Sequence, residues 1–531
     1  MNTQKNDKID IIHIDRNGYN SIYCLDDCIA TIAHKENLDY QLIYLDMHKI
    51  TYDYKVALKN NKVISGLCST KQEDNTYVYL QKYHGIMIKD YFELTKDEVL
   101  IKIENELANG KCVLVRLDSY YCDWDVLYQK EHTKHLGLCI GLDIDNVILC
   151  DPFYGLNNIK MNIQAFIDAN HGRISTYDIK IGSSKLDEFC KNKILSTCFE
   201  SQIFEYRLNS ISKIACAYGE IFKFETEYND FDEALESFDA ILDILIRTSK
   251  FYNLLKYLKP VDGNIQAIMN EVIGSWVVVK NTLFKGFFKH KDDTGIKLKK
   301  RILEILENEK KIYNYYCQGE ACRVDNIIGD NILSELKYKS LEIGKSVLFD
   351  SIDISKLLNN NSFGDYRNDR CEADFTGLNE FLQVNGNESY LQINDTIKVK
   401  TYICSNNMCD NVVCEGQKIE IYKDKLYSRI GFIAVSEFGE SIDVIKVIYD
   451  DGKQQKLHIK ISDVNNEPLF EEKTIWRGVT YQKVNNGNMS IRLENAHLYW
   501  VEYRINNDNS IKRIILPECS NLHIYGIYFF E

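Results

Sequence analysis

The chain has 531 residues, 45% of them hydrophobic, and a formal net charge of −14. That length exceeds what one hydrophobic core supports and calls for several domains. The acidic balance argues against a nucleic-acid binder, which needs a basic stripe, and no apolar run approaches the roughly eighteen residues of a membrane-spanning helix.

The amino terminus, MNTQKNDKIDIIHI, lacks the basic start, apolar block and small-residue cleavage site of an export signal. Seventeen cysteines are scattered along the chain. Without an export signal they read as reduced thiols, and a cytoplasmic location is expected.

The first predicted element is a helix opening within YCLDDCIATIA (23–33). Asp26 and Asp27 fall in its first turn, where acidic side chains suit the helix dipole. Cys28 shares a face with Ile32 and reads as a packing residue. Cys24 sits at the helix start, where unpaired backbone N–H groups stabilise a thiolate, so it is the candidate nucleophile. Two cysteines with no second ligand pair close by do not make a metal site. His34, later on the helix, reads as capping or packed.

TKDEVLIKIENELANG (95–110) predicts a second helix, with Thr95 and Glu98 in capping-box spacing and Gly110 as a stop. CVLVRL (112–117) is a buried strand. HLGLCIGL (135–142) and NVILCD (146–151) form a hairpin turning at Asp143–Asp145, followed by a helix near 162–169 and a strand near 175–181. In such a hairpin His135 and Asp151 become neighbours. Asp151 would accept from one ring nitrogen of His135, leaving the other to take the Cys24 proton, which is the nucleophile–base–orienter logic of a triad. Pro152 ends the strand and holds the carboxylate at the sheet rim. His132 reads as a loop histidine beside the base, not as a metal ligand.

Residues 186–344 form a predicted helical domain. Leu235, Phe238, Leu242, Leu245 and Ile246 recur at three and four, and Pro260 ends that run. KGFFKHKDDTGIKLKKR (285–301) reads as a solvated connection between helices, with a docking surface for an acidic partner as the alternative. Residues 345–531 change period to two, with a hairpin around Asp450–Asp451–Gly452, and predict a β-sandwich resembling jelly-roll modules of glycoside-active enzymes. Cys404, Cys409 and Cys414 read as strand and loop thiols. Trp476 and Trp500 read as core, with a sugar-stacking platform as the alternative. The fold class expected is multidomain α+β.

The order Cys24, His135, Asp151, with a second cysteine four residues after the first, resembles the papain-like superfamily, specifically its C39-type peptidases. VRLDSYYCDWDVLYQKEHTKHLGLCIGLDIDNVILCDPFYG (115–155) is similar to the amino-terminal domain of the butirosin biosynthesis protein H family. In that group a strand ending in Asp precedes paired aromatics and a Tyr–x3–His stretch. Asp118, Tyr120, Tyr121, Trp124, Tyr128 and His132 follow that order here, and the resemblance covers residues 10–180.

It implies a papain-like catalytic domain over 1–185 and acyl transfer in nonribosomal peptide-type metabolism. The acyl group would pass from a phosphopantetheine-linked thioester on an acyl or peptidyl carrier protein, through a Cys24 acyl-enzyme, to a small amine, forming an amide. His135 would serve both half-reactions as base and acid. Asp118, Tyr120, Tyr121 and Trp124 would line the substrate pocket, and no bound cofactor, nucleic acid or membrane is implied. Papain-like proteases carry a glutamine six residues before the cysteine, where this chain has Gly18. Asn17 and Asn20 are the nearby oxyanion-hole candidates. A thioester is already activated, so this departure weighs more against a peptidase. A C39-like cysteine peptidase and a non-catalytic binding protein using the carboxy-terminal β-sandwich stay open as alternatives.

Overall fold

A computed structural model describes residues 4–5, 9–12, 14, 24–67, 75–199, 202–289, 293–317, 349–368, 370–384, 386–394, 397–422, 425–484, 489–506 and 509–531. The protein is mixed α+β with several sheets, 39% helix and 30% strand. It forms two compact units. The first collects Met1–Lys49, Lys71–Phe204 and Ile246–Pro260, and the second Ile50–Thr70, Glu205–Leu245 and Val261–Glu531. Among the described residues no helix is long and apolar enough to cross a membrane.

The first unit is built on a seven-stranded sheet of β1 (Gln4–Lys5), β2 (Ile86–Tyr91), β3 (Val113–Asp118), β4 (Lys134–Leu142), β5 (Asn146–Asp151), β6 (Leu156–Asn162) and β7 (Ile174–Ile179). The strand order is β2-β7-β3-β4-β5-β6, with β1 pairing β4. Every pairing is antiparallel. The helix Lys96–Ala108 carries the predicted capping box of Thr95 and Glu98. Its Val99, Ile103 and Leu107 recur every fourth residue and meet the alternate residues Val113, Val115 and Leu117 of β3 in one core. The edge strands β2 and β6 escape the sequence reading. β6, LNNIKMN, alternates exposed and half-buried residues over most of its length and has only Met161 fully buried, so its apolar signal is weak.

The second unit contains the helices Gly263–Lys289 and Thr294–Cys317 and most of the described strands. An eight-stranded sheet and a four-stranded sheet contribute to one apolar cluster, with Phe432 and Trp500 from the first and Ile445 and Ile459 from the second. The predicted hairpin is present as Ser441–Tyr449 and Gln454–Ile461, with Gly452 at φ 83° in its turn. Trp476 and Trp500 are both buried in that cluster, which removes the sugar-platform alternative. Gly478 and Gly431 make room for them: a Cβ at either position would come within 2.2 Å of the neighbouring indole.

Two expectations are corrected here. In the helix Phe231–Leu258 the buried stripe runs through Ala234, Phe238, Ile241 and Leu245, while Leu235 is exposed. The described residues of the basic run 285–301 are not all solvated. They are mostly helical, and Lys285 is buried against Glu437 and the Ser520 carbonyl. Arg301 pairs with Asp443 at 2.6 Å. Buried carboxylates demand buried cations as partners, and a run of lysines and arginines in sequence does not say which of them face inward. These two cations are therefore engaged internally and do not form a docking surface.

Candidate active site

The helix α1 (Cys24–Lys35) begins at Cys24 itself and is buried from Asp26 through Ala33. Its first-turn acids are anchored rather than solvated. Asp26 accepts from the Tyr44 hydroxyl at 3.2 Å and pairs with Lys250 at 2.6 Å. Asp27 accepts the Ile14 backbone N–H at 3.3 Å. The helix end is thereby fixed, and with it the sulfur of Cys24, which is half-buried.

The two cysteines of this helix differ sharply. Cys28 has no exposed surface. Burial, and then the neighbouring Cys24 and Asp151, push its thiol far above the ordinary range. A neutral, sealed thiol is a packing residue. His34 lies exposed in the last turn of α1, where a cation suits the dipole, and it takes no part in the site.

His135 and Asp151 meet as the hairpin predicts, with the ring Nε2 2.6 Å from Asp151 Oδ2. Their contact is diagonal, not directly cross-strand. Leu138 pairs with Cys150, and continuing that register sets Asp151 opposite Gly137, two residues from His135. Gly137 has no side chain to stand between them. Both residues are buried. Cys24 acts on the same imidazole, and is among the groups that raise the pKa of His135. With Nε2 engaged by Asp151, Nδ1 is the nitrogen left for sulfur.

The electrostatics favour an imidazolium. Burial alone would lower the pKa of His135, but the hydrogen bonds to Asp151 and Cys24 and their charges outweigh it and raise it to about 10. Asp151 can sustain that role because it is surrounded by donors. Oδ2 also accepts the indole N–H of Trp124 at 2.8 Å. Oδ1 accepts the backbone N–H of Phe153 at 3.1 Å and of Tyr154 at 3.3 Å. The rings of Phe153 and Tyr154 lie 6.0 and 5.7 Å from that of His135. Burial, and then the nearby Asp125, push the Tyr154 phenol up, and the buried Asp125 accepts from the Ser119 hydroxyl at 2.8 Å.

The segment between β3 and β4 holds the remaining candidates. Asp118 ends β3 and accepts the Tyr120 N–H at 3.1 Å. It also bonds His132 Nδ1 at 2.7 Å, and His171 Nε2 lies 3.9 Å away. The His132 ring stacks on Tyr120, with centroids 4.2 Å apart and planes 17° apart. Tyr121 is half-buried against the sheet core. Trp124 has a different place from the other three, since it donates to Asp151. The signal for that was present in the sequence, because a part-buried indole N–H needs an acceptor.

Asn17, Asn20 and Gly18 lie outside the described residues, so the oxyanion-hole candidates have no assigned geometry. Among the described residues no three His, Cys, Asp or Glu side chains group as a metal site would require. The described cysteines, Cys404, Cys409 and Cys414 included, are free thiols. What the arrangement offers chemically is a fixed sulfur at a helix tip beside a carboxylate-held imidazole. No family model matches this chain, and no curated protein matches it either.

Proposed function

We propose that the chain is a cysteine-dependent acyltransferase that forms amides from carrier-bound thioesters. The observation that carries this reading is one arrangement: a half-buried Cys24 at the start of α1 whose charge acts on the imidazole of His135, with that imidazole's Nε2 2.6 Å from Asp151 Oδ2. The resemblance of residues 115–155 to the butirosin biosynthesis protein H family supports the choice of a thioester donor. On this reading residues 1–185 are a papain-like catalytic domain, 186–344 a helical domain and 345–531 a β-sandwich of jelly-roll type.

The chemistry follows from the charges. The Cys24 thiolate, paired with the His135 imidazolium, attacks the thioester carbonyl. The phosphopantetheine sulfur leaves with the proton of the His135 imidazolium, and Cys24 carries the acyl group. Exchange of one thioester for another is close to isoenergetic, so little driving force is needed. An amine nitrogen then bonds the acyl carbon, its N–H proton passes to the now neutral His135, and the carbon–sulfur bond breaks with its electron pair returning to Cys24 as thiolate, which yields the amide. The half-buried setting of Cys24 restricts water as a competing acceptor.

Intact-mass spectrometry with an N-acetylcysteamine thioester tests the proposal. The wild type gains one acyl mass, Cys24→Ala gains none, and Cys28→Ala gains as much as the wild type. Efficient cleavage of peptides with no acyl adduct from the thioester would favour the cysteine-peptidase alternative.

A further inference from the structure

The segment between β3 and β4 closes on itself around one carboxylate. At its neck the Ser119 N–H donates to the Thr133 carbonyl at 2.9 Å and the Gln129 N–H to the Tyr120 carbonyl at 3.1 Å. Between those anchors in sequence lies Asp125, which is buried. Its Oδ2 accepts the Ser119 hydroxyl at 2.8 Å, and its Oδ1 accepts the Leu127 N–H at 2.9 Å. We infer that Asp125 is a positioning residue for the acyl transfer: it clasps residues 119–130 so that Trp124 presents its indole to Asp151 Oδ2. The inference rests on the acyltransferase reading.

Backbone bonds inside the segment set only local bends. The Cys122 N–H donates to the Ser119 carbonyl at 3.0 Å, the Asp125 N–H to that of Cys122 at 2.9 Å, and the Tyr128 N–H to that of Asp125 at 3.0 Å. The Ser119–Asp125 side-chain bond reaches further and starts at the residue that follows β3, which ends at Asp118. It therefore fixes how far the middle of the segment stands from the sheet. Val126 and Tyr128 are exposed, whereas the Trp124 indole turns inward and reaches Asp151 at 2.8 Å. Holding Asp125 fixes the neighbour that orients Asp151, and through Asp151 the imidazole of His135.

A buried carboxylate needs donors. Asp125 has the Ser119 hydroxyl and the Leu127 N–H, and it faces the Tyr154 phenol, which burial and then Asp125 push up. These donors are all neutral, so the clasp requires hydrogen bonds from residue 125 and not its charge. Asparagine can supply them, since its oxygen accepts the Leu127 N–H while its amide donates to the Ser119 oxygen. Alanine leaves both groups without a partner.

Single-turnover acylation by the N-acetylcysteamine thioester tests the clasp. Asp125→Ala should acylate Cys24 about 10–100-fold more slowly, with little change in the thioester concentration for half-maximal rate. Asp125→Asn should keep most of the wild-type rate. Asp125→Ala combined with Trp124→Phe should lose far less than the product of the two single losses. In protein carrying isotope-labelled tryptophan, the Trp124 indole resonance is the one missing from Trp124→Phe. It should shift in Asp125→Ala and hold its place in Asp125→Asn, while those of Trp276, Trp476 and Trp500 stay put and show that the variant is folded. Where Asp125→Ala does not fold, Ser119→Ala decides, with the same indole shift and a smaller loss of rate. A wild-type rate in Asp125→Ala, an asparagine variant as slow as the alanine one, or losses that multiply would overturn the clasp and leave the acyl-enzyme reading intact. Absence of any acyl adduct in the wild type overturns that reading, and an unmoved indole resonance in Asp125→Ala overturns the clasp by itself.

Discussion

The indole N–H of Trp124 donates to Asp151 Oδ2, at 2.8 Å, the very oxygen that holds His135. A carboxylate oxygen shared by two donors in a buried setting cannot rotate without losing both. The indole therefore governs the orientation of an imidazole it is not bonded to.

Trp124→Phe keeps the aromatic body and removes that one hydrogen bond. Orienting partners of this kind are worth about 10–100-fold in activity. Acyl transfer by the variant should fall within that range in kcat with KM little changed, measured with a small thioester and glycinamide. A changed KM with unchanged kcat would instead assign Trp124 to the substrate pocket.

The protonation of His135 has a direct consequence for stability. Its pKa rises from 6.5 to about 10, so the folded chain holds a proton that the unfolded chain releases above pH 6.5. The stabilisation is fully present below pH 6.5 and disappears as the pH climbs through 10. Urea midpoints of the wild type should decline over that interval more steeply than those of His135→Gln. The ring proton resonance of His135 should titrate near pH 10, and at lower pH in Asp151→Asn.

Cys28 supplies a contrasting variant. Cys28→Ala deletes one sealed sulfur and should cost about 1–2 kcal/mol of stability, read from urea unfolding. Its labelling by iodoacetamide at Cys24 should match the wild type. A collapse of labelling would mean that Cys28 contributes to reactivity.

In the second unit, Lys285 and Glu437 are both buried, and His523 Nε2 lies 3.1 Å from the same glutamate oxygen. Lys285→Met strands a carboxylate without its cation and should cost about 3–5 kcal/mol. Lys285→Met combined with Glu437→Leu should lose less than the two single changes summed, in thermal or urea unfolding. Additive losses would show that the pair is not coupled.

How far the sequence exposed these features depends on the range of each interaction. The capping box of Thr95 and Glu98 and the hairpin carrying His135 and Asp151 are local, and spacing alone reveals them. Cys24 was legible for the same reason, since acids in a first turn mark a helix start. The diagonal contact of His135 with Asp151 was not, because it depends on the strand register. Nor was the anchoring of Asp26 by Lys250, which joins residues more than two hundred positions apart. The inward turn of Lys285 was hidden because composition shows how many cations a segment has and not where their partners lie.

The pairing of Asp26 with Lys250, together with the hydrogen bond of Tyr257 to Asp39 at 2.7 Å, bears on how this chain can be dissected. A fragment ending near residue 185 would retain Cys24, His135 and Asp151 yet lose the ammonium that pairs with the carboxylate two residues from Cys24. The setting of Cys24 thus depends on a stretch of chain far downstream, and grafting the amino-terminal portion onto another scaffold requires carrying residues 246–260 along.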